Sequence, residues 1–242
     1  MKPVLFISDL HLCAERPEVN RVFFRFLEQD APGAGTLYIL GDLFEYWAGD
    51  DDLAEPLHRE VAEGLRRFAA SGVPVRLIPG NRDFLLGRRF EREAGVALIG
   101  DEAVIDLFGT PTLILHGDQL CTDDLQYQAF RARVRKPWLQ KLFLALPRGL
   151  RKRLVGNIRS RSQEAAASKP PEIMDVNPRA VEEALRQRGC PRLIHGHTHR
   201  PARHLLTVDG RECERWVLPA WHEGGGYLRC DAQGVRAVSL PL

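Results

Sequence analysis

The sequence predicts an α/β protein in which buried parallel strands alternate with helices. Short apolar runs rich in β-branched or aromatic residues are typical of buried strands. Such runs occur at 4–7, 37–40, 75–78, 113–115 and 193–194. Helical hydrophobic patterns separate the early runs and lie at 18–29, 52–70 and 83–94. This alternation is expected of βαβ crossovers in a parallel sheet.

The last part of the chain has a different pattern. One more helix is predicted over 178–188, directly before the run at 193–194. Beyond it, strands are predicted over 202–208, 215–218, 226–230 and 235–240. The Asp209-Gly210 pair between the first two of these strands is a strong hairpin signal. We therefore expect the carboxyl end of the chain to be rich in β-structure.

The composition limits the classes of protein that fit. At 242 residues and 44% hydrophobic content, without internal repeats, residues 1–242 are expected to form one large globular domain. Five scattered cysteines without a Cys-x-x-Cys pair indicate neither a disulfide framework nor a structural zinc site. Apolar stretches of roughly 18 residues, as needed to span a membrane, do not occur, and the first apolar run is too short for a signal sequence. We expect a cytoplasmic protein.

A cluster of polar residues follows each predicted strand of the first group. The clusters are Asp9-Leu10-His11, Gly41-Asp42, Gly80-Asn81-Arg82-Asp83, His116-Gly117-Asp118 and His195-Gly196-His197-Thr198-His199. Strand ends on one edge of an α/β sheet converge on the ligand crevice, so these clusters are expected to meet. Imidazole, carboxylate and amide groups suit Mn²⁺, Fe²⁺, Zn²⁺ or Mg²⁺, and two such ions roughly 3.5–4 Å apart form the usual clamp for phosphoester hydrolysis. The sequence predicts a two-metal site.

The order of the clusters resembles that of the calcineurin-like metallophosphoesterases, from Asp9 to His199. The resemblance implies a four-layer αββα sandwich. It implies that one metal is held by Asp9, His11, Asp42 and His199. It implies that the second metal is held by Asp42, Asn81, His116 and His197. Asp42 would bridge the two ions, because a carboxylate has two oxygens to share.

Two residues depart from the pattern of the family. Many members have His after the Asn, where it acts as a general acid or contacts phosphate, whereas this chain has Arg82. Arginine cannot give up a proton near neutral pH, so Arg82 is expected to stabilise phosphate charge through forked hydrogen bonds. The second departure is Glu45, where Asp is common, and we expect it to support the metal ligands. The predicted catalytic residues are Asp42, Asn81, Arg82 and His116.

Longer motifs narrow the resemblance to the bacterial pyrophosphatases that act on UDP-2,3-diacylglucosamine in lipid A synthesis. The motifs are Ser8 to Leu12, Gly41 to Trp47, Gly80 to Leu85, His116 to Asp118 and Glu172 to Asn177. The resemblance implies two Mn²⁺ ions and release of UMP and 2,3-diacylglucosamine 1-phosphate (lipid X). As a mechanism we expect a hydroxide shared by both ions to attack the α-phosphorus. A phosphate leaving from a pyrophosphate fits a site without a protein general acid.

A basic segment, 123–168, lies between two of the metal clusters and is predicted to form an inserted helical cap. Between residues 125 and 163 it has no acidic residue but many Arg and Lys. Two apolar faces are predicted: Trp138, Leu139, Leu142, Phe143 and Leu146, then Leu150, Leu154, Val155 and Ile158. We favour a cap that holds acyl chains and meets anionic lipid heads on the cytoplasmic face of the inner membrane. The alternative is that the apolar faces pack on the core and the charges are solvated.

The resemblance also suggests substrate contacts outside the metal ligands. They are Asp124, Ser162, Ala166 and Lys169, in addition to Asn81, Arg82 and His197. Asp124 fits equally well as a favourable charge at a helix amino terminus. Three further histidines, His58, His204 and His222, lack ligand spacing and are interpreted as structural or exposed.

Three alternative functions stay open on the sequence. A soluble nucleotide pyrophosphatase or phosphodiesterase would use the same ligands. A non-catalytic scaffold on the same fold would usually lack ligands, and none is missing here. A nucleic-acid-binding protein could use the basic segment, but a net charge of only +2 and the apolar faces argue against it, so nucleic acid is not an expected partner. The sequence does not indicate an oligomeric state.

Overall fold

The structure, a computed structural model, describes residues 1–167, 173–222 and 224–241, without the side chains of residues 161 and 163–167. Within these residues the strands form two sheets. The six-stranded sheet has the order β11-β10-β1-β2-β3-β4 and the five-stranded sheet the order β5-β6-β7-β9-β8. The strands are β1 (Val4–Ile7), β2 (Thr36–Leu40), β3 (Val75–Ile78), β4 (Ala97–Leu98), β5 (Glu102–Leu107), β6 (Thr110–Leu115), β7 (Arg192–His195), β8 (Ala202–Val208), β9 (Arg211–Val217), β10 (Gly225–Asp231) and β11 (Gly234–Leu240).

The helices are α1 (Pro17–Arg25), α2 (Pro56–Ala70), α3 (Arg88–Ala94), α4 (Leu125–Val134), α5 (Pro137–Leu144), α6 (Arg148–Ala167) and α7 (Pro178–Arg188). Helices α1, α2 and α3 cover the outer face of the six-stranded sheet, and α7 covers that of the five-stranded sheet. Neighbouring strand residues point to opposite faces. On β1, Leu5 packs with the cluster that includes α1–α3, while Phe6 lies in the cluster between the sheets. On β7, Leu193 packs against α7, and Ile194 faces Phe6 across the interior. The fold is therefore the predicted four-layer αββα sandwich.

Two predicted helices differ from those observed. The helix predicted over 83–94 begins at Arg88, because the Asp83 carboxylate accepts hydrogen bonds from loop amides and is not part of a helix. Asp50 supplies the missing cap by accepting the amide protons of Gly87 and Arg89, both at 2.8 Å. The helix predicted over 52–70 is divided, because the residue before Pro56 is extended and separates a 3-10 turn from α2.

The strand β5 was not predicted, although it forms one edge of the five-stranded sheet. Its residues 102–107 lack a clear alternation of polar and apolar side chains. The strand forms because it pairs in an antiparallel hairpin with β6. Pairing with a neighbour has overridden a weak local preference.

Helices α4, α5 and α6 occupy the segment predicted as a helical cap. Proline starts α5 at its first position, as expected. Across the portion of the chain covered by the structure, none of the helices combines the length and hydrophobicity needed to cross a membrane.

Candidate metal centre

The polar clusters meet where strands from both sheets end. β1, β2 and β3 lead to Asp9, Asp42 and Asn81, and β6 and β7 lead to the histidine clusters. Glycine is required at Gly80, because a Cβ there would collide with the Asp42 carboxylate. The two sheets therefore contribute to one site, as a ligand crevice at strand ends requires.

Three side chains form the first group of ligand atoms. The Nε2 of His199 lies 3.3 Å from Asp9 Oδ1 and 3.4 Å from the Nε2 of His11. These three atoms could bind one cation. Ligand atoms bound to one ion at about 2.1 Å lie roughly 3.0–3.4 Å apart, so the observed spacing fits a metal ion.

A second group lies around the side-chain oxygen of Asn81. This Oδ1 is 2.9 Å from His116 Nε2 and 3.0 Å from His197 Nδ1. Three potential ligand atoms therefore converge, two of them imidazole nitrogens. Such nitrogen and oxygen donors suit Mn²⁺, Fe²⁺ or Zn²⁺.

Asp42 lies between the two groups. Its Oδ2 is 3.8 Å from the Nε2 of His11 and 3.7 Å from the Nε2 of His116. Its Oδ1 accepts the amide proton of Arg82 at 2.8 Å, which fixes the carboxylate plane. Asp42 is therefore placed to contact an ion in either group, and Asp9, whose carboxylate also lies near Asp42 and His116, adjoins both.

The backbone at the ligands is unusual. Five of the predicted ligands are in the left-handed region, with φ between 50° and 69°: Asp9, His11, Asp42, His197 and His199. This region is uncommon for residues other than glycine, and such strain concentrates at functional sites. The strained loops turn the side chains back toward the crevice.

Without a bound metal, the protonation states of the ligand side chains follow from burial and neighbouring charge. Burial lowers the pKa of His11 to about 3 and that of His197 to about 4, so both imidazoles are neutral at pH 7. Burial raises the pKa of Asp42 to about 7, although His116 opposes the shift. Burial also acts against the charged form of His116, but Asp42 and Asp9 outweigh it and raise that pKa to about 8. His11 and His197 are therefore already in the neutral form that a metal ligand needs, whereas His116 and Asp42 would release protons when a cation binds.

Outer residues orient the ligands. Ser8 donates to Asp9 Oδ2 at 2.6 Å. The buried Asp83 carboxylate accepts the amide protons of Gly80 and Leu43, each at 2.8 Å, and so ties the Asn81 loop to the Asp42 loop. Such partners hold ligands in place and tune their affinity for metal.

Glu45 supports the first group, as the sequence predicted. Its Oε2 lies 3.4 Å from His11 Nδ1 and accepts a 2.8 Å hydrogen bond from Arg16. The Oε1 lies 3.1 Å from Arg159 of α6 and 4.0 Å from Arg82. With its Nδ1 facing Glu45, His11 can present Nε2 to a metal.

Arg82 lies beside the ligands with its side chain mostly covered, 27% exposed. Its Nε is buried and has no hydrogen-bond partner among the described residues. A buried donor without a partner is costly. A phosphate oxygen would supply the missing acceptor.

Six basic side chains of the cap form ion pairs with acidic side chains of the sandwich, an arrangement that neither interpretation of the sequence included. The pairs are Arg131 with Asp118 and Asp101, Arg135 with Asp101, Arg148 with Asp52 and Glu55, Arg151 with Asp51, Lys152 with Glu55, and Arg159 with Glu45. These ion pairs hold the cap on the sandwich.

Other basic side chains and several apolar ones stay exposed on the cap. Arg133, Lys136, Lys141 and Arg153 are exposed and have no ion pair within the described part of the chain. Trp138 and Leu142 are 63% and 59% exposed, and Leu150, Leu154 and Ile158 are also exposed. The alternative in which the apolar faces pack on the core is therefore wrong for these residues, although Phe143 does pack there.

The predicted substrate contacts fall into two sets. Arg82, Asn81 and His197 are in the metal centre. Asp124 is the amino-terminal cap of α4 and accepts the amide proton of Tyr127 at 3.0 Å, and Ser162 is exposed on α6. The side chain of residue 166 and the whole of residue 169, Ala166 and Lys169 in the sequence, lie outside the described residues.

Sequence reasoning missed several residues around the centre. Asp118 is buried beside the ligands and is bonded by Tyr127 and Arg131 of α4. His222 was interpreted as structural or exposed, and it is exposed, but its ring lies 5.3 Å from that of His199. His58, in contrast, is structural, as the sequence predicts, because its ring packs against Phe44 and Trp47. The position of Asp118 directly after His116-Gly117 was the one available signal.

Comparison with known proteins agrees with the geometry. The model of the calcineurin-like phosphoesterase family matches residues 2–201, a span that includes both groups of ligands. A hypothetical protein from Pyrococcus horikoshii OT3 has the same fold, with a TM-score of 0.51 at 11% identity, over 100% of this chain and 88% of that one. The chain belongs to the calcineurin-like phosphoesterase family.

Closer relatives define its place in that family. The chain is 53% identical over 238 residues to the UDP-2,3-diacylglucosamine hydrolase of Escherichia coli O7:K1 (strain IAI39 / ExPEC), covering 98% of this chain and 99% of the relative. The protein of the same name from Shigella boydii serotype 18 matches with the same identity and coverage. Within the calcineurin-like phosphoesterases, the chain belongs to the UDP-2,3-diacylglucosamine hydrolase family.

Proposed function

We propose that this chain hydrolyses the pyrophosphate bond of UDP-2,3-diacylglucosamine to UMP and 2,3-diacylglucosamine 1-phosphate, with two Mn²⁺ ions as cofactors. The observation that carries the proposal is the position of Asp42 Oδ2 between His11 Nε2 and His116 Nε2, at 3.8 and 3.7 Å. The substrate assignment is supported by the 53% identity to hydrolases of that name. Other divalent ions would fit the same donor set.

The residues of the chain have distinct roles in this proposal. Asp9, His11 and His199 would hold one ion, Asn81, His116 and His197 would hold the other, and Asp42 would contribute to both. Such ions supply a nucleophile at neutral pH and polarise phosphoryl oxygens. Arg82 binds the phosphate through its guanidinium and stabilises the charge that develops on the phosphoryl oxygens. Asp124, Ser162, Ala166 and Lys169 are proposed to contact the substrate from the cap.

The position of attack is tested with isotope-labelled water. The purified protein, loaded with Mn²⁺, is incubated with the acylated UDP-sugar in ¹⁸O water, and the products are weighed by mass spectrometry. We expect label in UMP, because attack at the α-phosphorus adds the water oxygen there. Label in the sugar 1-phosphate would contradict attack at the α-phosphorus.

A soluble nucleotide pyrophosphatase remains the second candidate, and the acyl chains distinguish it. We expect kcat/KM to fall at least about a hundredfold for the unacylated UDP-sugar, since each buried methylene contributes about 0.8 kcal/mol. The exposed apolar side chains of α5 and α6 offer the surface that the acyl chains need. Equal kcat/KM for the two substrates would favour the second candidate.

We also propose that α5 and α6 rest on the cytoplasmic face of the inner membrane. Exposed Trp138 and Leu142 lie beside exposed basic residues, as in interfacial helices. Trp138→Glu with Leu142→Glu is expected to weaken binding to phosphatidylglycerol vesicles about tenfold or more per residue, measured by flotation. The matched control is Leu205→Glu, because Leu205 is 73% exposed on β8. No binding by the unaltered chain, or an equal loss in the control, would contradict this location.

A further inference from the structure

Helix α4 has contacts that an ordinary covering helix would not need. None of its side chains, all of which are described, is buried. Hydrophobic burial therefore does little to hold it. Its main links to the sandwich are polar. They come from Gln128 and from Tyr127, Arg131 and Arg135, and the last three recur every four residues on one side of the helix and at its end.

Three of these links end beside a ligand of the second metal. Tyr127 Oη and Arg131 Nε donate to Asp118 Oδ2 at 2.6 and 2.7 Å, and Asp118 follows His116 by two residues. Arg135 Nη2 donates at 3.0 Å to the carbonyl oxygen of Gly80, the residue before Asn81. In this way α4 holds the two loops that present His116 and Asn81.

The third ligand of that ion is contacted by the same helix. The Tyr127 ring stacks on the ring of His197, with centroids 6.2 Å apart and planes inclined by 28°. None of these α4 contacts involves Asp9, His11 or His199. Within the part of the chain that the structure describes, these contacts therefore reach the surroundings of the second metal and not those of the first.

Ion pairs also fix the side chains of Arg131 and Arg135 on the sandwich. Arg131 and Arg135 both bind Asp101, at 3.1 and 2.8 Å, and each arginine side chain is 16% exposed. Asp118 is 1% exposed. Charge-assisted hydrogen bonds of this kind are about twice as strong as neutral ones.

We propose that α4 is part of the metal centre: through Tyr127, Arg131 and Arg135 it positions the ligands of the second metal, with Asp118 and Asp101 as counter-charges. These are positioning residues, because they act through Asn81, His116 and His197. The inference rests on the proposed two-metal function. It adds that the inserted cap determines the affinity of one of the two metals.

The test is Mn²⁺ binding to Arg131→Gln, followed by calorimetry and electron paramagnetic resonance. We expect one Mn²⁺ per chain to bind about 10- to 100-fold more weakly while the other is unchanged. At limiting Mn²⁺ the spectrum should change from that of a coupled pair to that of an isolated ion. The matched control is Arg133→Gln on the same helix, because Arg133 is exposed and makes no described contact.

A second variant distinguishes a loss of metal affinity from misfolding. Tyr127→Phe removes only the hydroxyl that donates to Asp118 and is expected to weaken the same metal to a smaller extent, with unchanged circular dichroism. Unchanged affinity for both metals in folded Arg131→Gln and Tyr127→Phe would overturn the inference, as would an equal loss in Arg133→Gln. If the unaltered chain binds fewer than two ions, the two-metal function fails first, and the inference fails with it.

Discussion

Asp42→Asn is expected to lower turnover of the acylated UDP-sugar at least about a thousandfold, equivalent to ~4 kcal/mol of transition-state stabilisation. The reason is that one carboxylate lies between both groups of ligands, so its loss disturbs both ions. The amide can still accept the hydrogen bond from the Arg82 backbone that Asp42 Oδ1 accepts at 2.8 Å. The measurement is kcat with saturating Mn²⁺, together with the number of Mn²⁺ ions bound.

The melting temperature provides the control for Asp42→Asn. Burial raises the pKa of Asp42 to about 7 in the metal-free protein, so a neutral amide removes a poorly solvated charge. The metal-free variant should therefore melt at a temperature no lower than that of the unaltered chain. Asp106→Asn, at an exposed position of β5 that bonds the β5–β6 turn, should leave both turnover and metal content unchanged. Undiminished metal-dependent hydrolysis by Asp42→Asn would rule out the bridging assignment.

Arg82→Ala is expected to reduce kcat by about 100- to 1000-fold, because a donor aimed at developing charge contributes that much in comparable sites. The number of bound metals should not change, since Arg82 contacts Asp42 through its backbone amide, which alanine retains. Arg82→Lys should recover part of the lost rate, because lysine restores the charge but not the fork. Steady-state kinetics and metal analysis on the same preparations give both quantities.

A surface arginine is the matched control for Arg82. Arg92→Ala on α3 removes an exposed guanidinium and should have no effect on kcat. If Arg82→Ala loses metal along with activity, Arg82 acts by holding the centre together and the phosphate assignment is wrong. If Arg82→Ala keeps full kcat, the buried and unpartnered Nε has no function in the reaction.

The ligand loops were predictable because their signals are local. Each ligand stands a few residues after an apolar strand, and β1, β2, β3 and β7 end close to the predicted positions. The αββα order of the layers was predicted from the resemblance to the calcineurin-like metallophosphoesterases. The unusual φ angles at Asp9 and Asp42 were not predictable, because the tertiary contacts around the loops hold them there.

The start of α3 shows where local reasoning fails. The sequence from 83 onward has a helical pattern, but Asp83 is used to tie two ligand loops together. The amino-terminal cap of α3 comes from Asp50, which lies 37 residues from Gly87 in the chain. No window of the usual length contains both residues.

The sequence by itself determined the strands that lead to the polar clusters, the order of those clusters and therefore the side-chain types of the candidate metal centre, because side-chain periodicity and strand-end motifs are short-range properties. Only the tertiary structure decided what the basic cap does with its charge. Arg151 pairs with Asp51 and Arg159 with Glu45, although these partners are about 100 residues apart in the chain. Ion pairs depend on distance in space, and the folding of both sheets sets that distance.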